Sequence, residues 1–205
     1  MAPMAVSREG KSDGLPVEGG AFVAVVGPSG AGKDTLMNFA RKALAGRDDV
    51  FFVRRVITRP ADGATEDHIP ATAEAFDAQL KQGKFAFHWP AHGLRYGLPI
   101  AIDTRIRAGH CAVCNGSRAA LRGLGERYAN FTVINITASP DVLASRLALR
   151  GRESEDEILE RLARSANLKV DWPGAVIVDN SGDIETAGRA LVDAIREASG
   201  KATKD

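Results

Sequence analysis

The sequence contains few of the features that mark secreted, membrane-spanning or nucleic-acid-binding proteins. No apolar run in its 205 residues approaches the roughly 18 residues that span a bilayer. The formal net charge is +1, so no overall field favours nucleic acid or a membrane surface. Residues 1–20 lack the apolar stretch of a signal peptide. These absences predict a cytoplasmic protein that binds neither nucleic acid nor a membrane.

Cysteine is also scarce: the chain has 2, Cys111 and Cys114, spaced as C-x-x-C. Both fall within residues 110–114, an apolar run that predicts a buried strand. Side chains three positions apart on a strand point to opposite faces, so the pair can neither form a disulfide nor share a metal ion. We therefore expect two buried free thiols, and nothing in the sequence requires an oxidising compartment.

The pattern that is present is that of one α/β domain. Short apolar runs alternate with amphipathic stretches, as in β-α-β units built on a parallel sheet. The polar, glycine-containing ends predict a disordered leader over residues 1–19 and a flexible tail over 200–205, around a single domain at 20–199.

The same patterns place the individual elements, with Thr72 and Ser139 as helix caps. Predicted strands occupy Ala21–Val26, Phe51–Thr58, Phe85–Trp89, Gly93–Tyr96, His110–Cys114, Phe131–Thr137 and Ala175–Val178. Predicted helices occupy Lys33–Ala45, Thr72–Gln82, Pro99–Ala108, Ser117–Tyr128, Ser139 to about Gly151, Ser154–Lys169 and Asp183–Ala198.

A glycine-rich segment follows the first strand and opens the first helix, which is the setting of a Walker A phosphate loop. Gly27, Gly30 and Gly32 let the backbone curl so that its N–H groups point at phosphate oxygens. The helix N-terminus adds its dipole, and Lys33 reaches the β- and γ-phosphates. The predicted ATP-binding residues are Gly27, Pro28, Ser29, Gly30, Ala31, Gly32, Lys33, Asp34 and Thr35.

Asp34 departs from the usual loop, in which Ser or Thr follows the lysine and coordinates Mg²⁺. Two interpretations stay open. A carboxylate oxygen suits a hard cation, so Asp34 can bind Mg²⁺ directly or through water. Alternatively, the loop is degenerate and binds no nucleotide.

Five arginines surround one predicted helix–turn–helix that contains Gly151. Mobile arginines commonly stabilise charge on a transferring phosphoryl group, and closure of such a lid excludes water. Arg150 and Arg152 flank the glycine and are the predicted catalytic residues together with Lys33. The alternative is a solvated helical face, which applies most strongly to the arginines beyond the turn. The five are Arg146, Arg150, Arg152, Arg161 and Arg164.

Candidate residues for a second substrate lie near predicted strand ends, where ligands of parallel sheets bind. Arg59 is the best single candidate, since alternation sends Arg54 and Arg55 to opposite faces. The polar stretch at residues 66–68 can bind sugar hydroxyls or be a solvated loop, and the Asn-Gly at 115–116 can be a binding turn or an ordinary one. The predicted substrate-binding residues are Arg59, Glu66, His68, Arg95, Tyr96, Asn115, Ser117 and Arg118.

These motifs together resemble the guanylate kinase-like P-loop family, and within it the ribose 1,5-bisphosphate phosphokinases of phosphonate catabolism. The P-loop alone is shared by many enzymes, whereas GKD, NGSR and EDHI together are far more specific. The matching segments are GPSGAGKD, ITRP, EDHI, HGLRYG, NGSRAAL and RGRE.

The resemblance implies a three-layer α/β/α P-loop fold with a parallel core sheet, a small acceptor-binding insertion and a helical lid. It implies transfer of the ATP γ-phosphate, with Mg²⁺, to ribose 1,5-bisphosphate, a small sugar phosphate, giving 5-phospho-α-D-ribose 1-diphosphate. Asp34 then becomes a family trait.

One departure separates the chain from true guanylate kinases, which usually carry an Asp-bearing strand end where this chain has Cys114-Asn115-Gly116. A guanylate kinase and a non-catalytic guanylate kinase-like binding module stay as alternatives, although an intact loop lysine disfavours the module. The sequence leaves the oligomeric state open.

Overall fold

The computed structural model describes residues 15–60, 67–149 and 170–201. In this part of the chain the strands are β1 (Ala21–Val26), β2 (Val50–Phe52), β3 (Val56–Ile57), β4 (Ile69–Pro70), β5 (Phe85–Ala91), β6 (Leu94–Pro99), β7 (Cys111–Asn115), β8 (Phe131–Thr137) and β9 (Val176–Asp179). The helices are α1 (Lys33–Ala43), α2 (Ala73–Lys81), α3 (Ala101–Arg107), α4 (Leu121–Arg127), α5 (Pro140–Ala148) and α6 (Ile184–Lys201), with a 3₁₀ turn at Arg118–Ala120 before α4.

A five-stranded sheet with every pair parallel forms the centre of the fold, in the order β2-β7-β1-β8-β9. All six residues of β1 are buried, as expected for a central strand covered on both faces. Its two neighbours, β7 and β8, come much later in the chain, so the connections cross over the sheet. The predicted α/β fold with a parallel core sheet is confirmed.

Two hydrophobic clusters lie on opposite faces of this sheet and give the molecule three layers. One contains Leu36 of α1 and Leu191 of α6, whereas the other contains Ile106 of α3 and Leu124 of α4. Cys111 belongs to the first cluster and Cys114 to the second, and both are free and buried. The expectation that the two thiols face opposite sides of the sheet is therefore correct.

A second, four-stranded sheet in the order β4-β3-β6-β5 forms the small insertion. The prediction of one strand over Phe51–Thr58 is wrong, because β2 pairs with β7 in the main sheet and β3 pairs with β6 and β4 in the second. Residues 53–55 carry the chain from one sheet to the other. Their alternation survives the break, since Arg54 is exposed and Arg55 is buried.

The helix caps match the sequence signals. The Thr72 hydroxyl accepts a hydrogen bond from the Ala75 amide at 3.1 Å, and the Ser139 hydroxyl accepts one from the Val142 amide at 3.4 Å.

Within the described ranges, no helix is both long and apolar enough to cross a membrane.

At both ends of the described chain, contacts reach beyond residues 20–199. Val17, assigned to the leader, is buried and bridges to Tyr128, and its amide donates to the Arg127 carbonyl at 2.7 Å. Helix α6 continues through Gly200 to Lys201, into the predicted tail. Apolar packing of Val17 extends the fold at its N-terminal end, and packing of Ala198 in the first hydrophobic cluster holds the last turns of α6.

Candidate active site

The carboxyl ends of the parallel strands bring several predicted site residues to one edge of the main sheet. The glycine-rich loop follows β1, Asn115 is the last residue of β7, and Asn180 comes directly after β9. Since β7 and β8 flank β1 on either side, this edge is a topological switch point, where open α/β sheets bind ligands.

The loop between β1 and α1 has the curled backbone that the sequence predicts. Gly27, Gly30 and Gly32 all have positive φ angles, of 151°, 87° and 83°. The Lys33 ammonium donates to the carbonyl oxygens of Gly27 and Pro28, at 3.0 Å each. The cation therefore lies within the loop at the N-terminus of an 11-residue helix, an arrangement that attracts phosphate.

A side chain that was absent from the predicted site, Asn180, holds this loop from the side. Asn180 is 1% exposed, and its amide donates to the Ala31 carbonyl at 2.7 Å. A β-carbon on Gly32 would collide with that amide, so glycine is required there for space as well as for its left-handed backbone. The same strand-end rule that selected Asn115 would have found Asn180, because it follows the last strand.

Arg146 of α5 approaches the same loop. Its Nη1 atom is buried and has no hydrogen-bond partner among the described residues, and it lies 3.7 Å from the position that a Gly32 β-carbon would take. An orphaned guanidinium nitrogen beside a phosphate loop fits an anionic ligand. Arg146 belongs to the arginine run of the predicted lid, but the sequence did not distinguish it from its neighbours.

Asp34 and Asn115 meet although they are 81 positions apart. The Asn115 amide donates to Oδ1 of the Asp34 carboxylate at 3.0 Å. The contact ties the first turn of α1 to the end of β7 and fixes one oxygen of the carboxylate. A fixed carboxylate beside a phosphate loop offers the oxygen donor that Mg²⁺ prefers, so the residues fit the cation.

The remaining residues of the Asn-Gly-Ser-Arg segment continue from this point. Ser117 precedes the 3₁₀ turn and is half-buried, as is Arg118. Partial burial lowers the pKa of the Arg118 guanidinium. Arg150 and Arg152, the predicted catalytic arginines of the lid, lie outside the described residues, as does Glu66.

A cavity of about 740 Å³ opens beside the second sheet. Arg59 and Arg95, two of the predicted substrate-binding residues, are among the residues that line it. The Arg95 guanidinium is engaged with α2, through the Asp77 carboxylate and through the Ala73 carbonyl at 2.7 Å. The cavity is lined by Thr58, Arg59, Pro60, Pro70, Ala71, Thr72, Ala73, Gly93 and Arg95.

Tyr96 packs against two other flat side chains. Its ring lies against the buried Trp89 ring, with centroids 5.3 Å apart and planes within 11°. The buried Arg55 guanidinium lies 4.9 Å from the Tyr96 ring centroid. The same guanidinium lies 5.9 Å from the Trp89 ring centroid, so it sits beside both rings, and these contacts stabilise the position of Tyr96.

His68 lies behind the surface, with 4% of its area exposed. Its Nε2 atom is 3.2 Å from the Arg59 carbonyl oxygen. The structure thus places His68 against the backbone of a cavity residue, and the predicted contact between His68 and a sugar hydroxyl stays a prediction.

Comparison with solved structures agrees with this architecture. The fold resembles guanylate kinase from Anaplasma phagocytophilum, with a TM-score of 0.62 and 17% sequence identity, covering 91% of this chain and 89% of that one. At this identity the likeness establishes the fold. No protein-family model matches the chain.

Curated proteins resemble the chain across most of its length. It is 44% identical over 199 residues to ribose 1,5-bisphosphate phosphokinase PhnN of Chelativorans sp. strain BNC1, covering 97% of this chain and 95% of the relative. It is 45% identical over 179 residues to the protein of the same name from Agrobacterium fabrum, covering 87% of this chain and 98% of that one. The chain therefore belongs to the ribose 1,5-bisphosphate phosphokinase family.

Proposed function

We propose that the protein transfers the γ-phosphate of ATP to ribose 1,5-bisphosphate, giving ADP and 5-phospho-α-D-ribose 1-diphosphate. The observation that carries this proposal is the hydrogen bond between Asn115 and Asp34. Each residue belongs to a separate motif of the family, and the two motifs meet beside the phosphate loop. Phosphonate degradation in the cytoplasm is the setting we propose, and the two free thiols fit a reducing compartment.

The loop residues have distinct roles in this proposal. Backbone amides of Gly27 to Gly32 bind the β- and γ-phosphates, and Lys33 exchanges its two carbonyl contacts for phosphate oxygens. Asn180 holds the loop, while Arg146 supplies further positive charge beside Gly32. ATP is the phosphoryl donor, and Mg²⁺ neutralises phosphate charge; Asp34 is the protein residue that would hold it.

The acceptor group is itself a phosphate, which shapes the chemistry required. An oxygen of the phosphate on ribose carbon 1 forms a bond to the γ-phosphorus as the bond to the ADP oxygen breaks. That oxygen is already largely ionised near neutral pH, so a strong general base is unnecessary. Positioning and charge neutralisation dominate, with Arg59 and Tyr96 binding the acceptor and Arg150 and Arg152 supplying charge.

The acceptor preference separates this reaction from that of a guanylate kinase. We expect ribose 1,5-bisphosphate to support ADP formation at least about a hundredfold faster than GMP, because a site built for one set of polar groups rejects another. The measurement is ADP release with ATP and Mg²⁺ and either acceptor in parallel. A response to GMP alone would reverse the assignment, and no response to either would favour a binding module.

Asp34 gives a prediction that does not depend on turnover. In Asp34→Ala, the Mg²⁺ concentration that half-saturates the ADP complex should rise by about 10- to 100-fold, because an oriented carboxylate is lost. Calorimetric titration of Mg²⁺ into the ADP complex measures it, and ADP affinity without Mg²⁺ should stay within about twofold. The control is Asp48→Ala, an exposed residue after α1. Unchanged Mg²⁺ affinity in Asp34→Ala would remove Asp34 from the metal site.

A further inference from the structure

We infer that His68 is a positioning residue, which holds the backbone of Arg59 where that residue lines the cavity beside the second sheet. The inference rests on the role proposed above for Arg59. It assigns His68 a contact with the protein backbone in place of a contact with the substrate.

The contact between His68 and Arg59 has a defined direction. The Nε2 atom of His68 lies 3.2 Å from the Arg59 carbonyl oxygen. Since a carbonyl oxygen only accepts hydrogen bonds, Nε2 carries the hydrogen and donates. The ring is buried, so water competes poorly for that donor and the contact is stronger than it would be at the surface.

Neighbouring contacts attach His68 itself to the second sheet. The Ile69 amide donates to the Arg55 carbonyl at 2.8 Å, which pairs β4 with β3. The Arg54 guanidinium donates to the His68 carbonyl at 3.3 Å and forms an ion pair with Asp67 at 2.9 Å. The backbone around His68 is therefore held by β3 and by Arg54 where the ring contacts Arg59.

The Arg59 segment is held on its other side by β6. The Thr58 amide donates to the Arg95 carbonyl at 3.1 Å, and the Thr58 hydroxyl accepts from the Arg95 amide at 2.9 Å. β6 thus fixes Thr58, and His68 contacts the carbonyl of the next residue, Arg59. The His68 contact therefore links two residues that are 9 positions apart in the chain.

Two substitutions separate the hydrogen bond from the bulk of the ring. In His68→Leu, the volume stays similar but the donor is lost, whereas the amide of His68→Gln can still donate to the Arg59 carbonyl. We expect His68→Leu to raise the KM for ribose 1,5-bisphosphate about tenfold, because the free energy of one hydrogen bond corresponds to about that ratio. The KM for ATP should stay within about twofold of wild type. His68→Gln should restore the acceptor KM to within about threefold of wild type.

The chain offers a matched control in His110. Its Nδ1 atom lies 3.0 Å from the Arg105 carbonyl, so it makes the same kind of contact before β7, at the opposite end of the sheet. His110→Leu should leave both KM values within about twofold of wild type. In an Arg59→Ala background, His68→Leu should add less than about a twofold rise in acceptor KM, because the two residues act through one group.

Backbone hydrogen exchange tests the inference independently of the acceptor. Exchange of the peptide covering residues 56–60 should be about tenfold faster in His68→Leu than in wild type or His68→Gln. Unchanged exchange there, or an unchanged acceptor KM in folded His68→Leu, would overturn the inference. A failure of the proposed function would be seen in a different measurement: the wild-type protein would form no ADP in response to ribose 1,5-bisphosphate.

Discussion

Lys33→Ala should lower the rate of phosphoryl transfer by at least about 10³-fold while the protein stays folded. The ammonium lies inside the loop, 3.0 Å from the carbonyl oxygens of Gly27 and Pro28, where the β- and γ-phosphates are expected. Removing it takes a full positive charge from the point where negative charge moves between donor and acceptor. ADP release at saturating ATP and acceptor measures the loss.

The same variant should change the free energy of unfolding by about 1 kcal/mol or less, because Lys33 is half-buried and water replaces its ammonium. The matched control is Lys42→Ala, an exposed lysine in the last turn of the same helix. It should retain turnover within about twofold of wild type. Wild-type turnover in folded Lys33→Ala would end the assignment of the loop as the ATP site.

The parts of the fold that sequence predicted well are those set by local pattern. The predicted bounds of β1 and β8 match the structure, because β1 is a uniform apolar run and β8 is rich in β-branched residues. The loop followed from its glycines and lysine, and α2 and α5 from the Thr72 and Ser139 caps. In each case a short stretch of chain contains the whole signal.

The break after β2 shows where local pattern stops being sufficient. Residues 51–58 have uniform strand character, yet β2 and β3 pair with different sheets. Which sheet each half of this stretch joins depends on strands far along the chain, since β2 pairs with β7 and β3 pairs with β6. Strand propensity expresses packing against such neighbours, so no local reading of Phe51 to Thr58 reveals the break.

The residues of the candidate site can be found partly from local sequence, but their contacts with one another depend on the fold. Strand-end position found Asn115, and Asn180 obeys the same rule, but only the fold shows that Asn115 meets Asp34 and that Asn180 meets Ala31. The burial of His68 likewise depends on how β4 pairs with β3, which the sequence around it does not show. Contacts over 81 or 149 positions have no local sequence signature.

A buried polar cluster joins α3 to the end of α4, away from the strand ends that form the site. The Asp103 carboxylate is buried, forms an ion pair with Arg127 and accepts a hydrogen bond from the Tyr128 hydroxyl at 3.0 Å. Burial, followed by the nearby Asp103 charge, raises the pKa of the Tyr128 hydroxyl, which stays a neutral donor. The Arg127 carbonyl accepts from Val17, so the cluster also fixes the start of the domain.

Asp103→Ala should lower the free energy of unfolding by about 3–5 kcal/mol. The substitution leaves the Arg127 side chain, which is 15% exposed, without its carboxylate and leaves a buried Tyr128 hydroxyl unpaired. An uncompensated buried charge costs far more than the loss of a surface ion pair. For a chain of this size, the melting temperature should fall by about 10 °C. Chemical denaturation followed by circular dichroism measures the free energy.

Two comparisons isolate the cause of that loss. Asp193→Ala removes a carboxylate that is 72% exposed and pairs with Arg196 at 3.3 Å, so it should cost less than about 1 kcal/mol. The double variant Asp103→Leu with Arg127→Met replaces the ion pair by apolar side chains and should recover part of the loss. If Asp103→Ala proves no more destabilising than Asp193→Ala, the cluster does not hold α3 to α4, and apolar packing around Ile106 and Leu124 carries that junction alone.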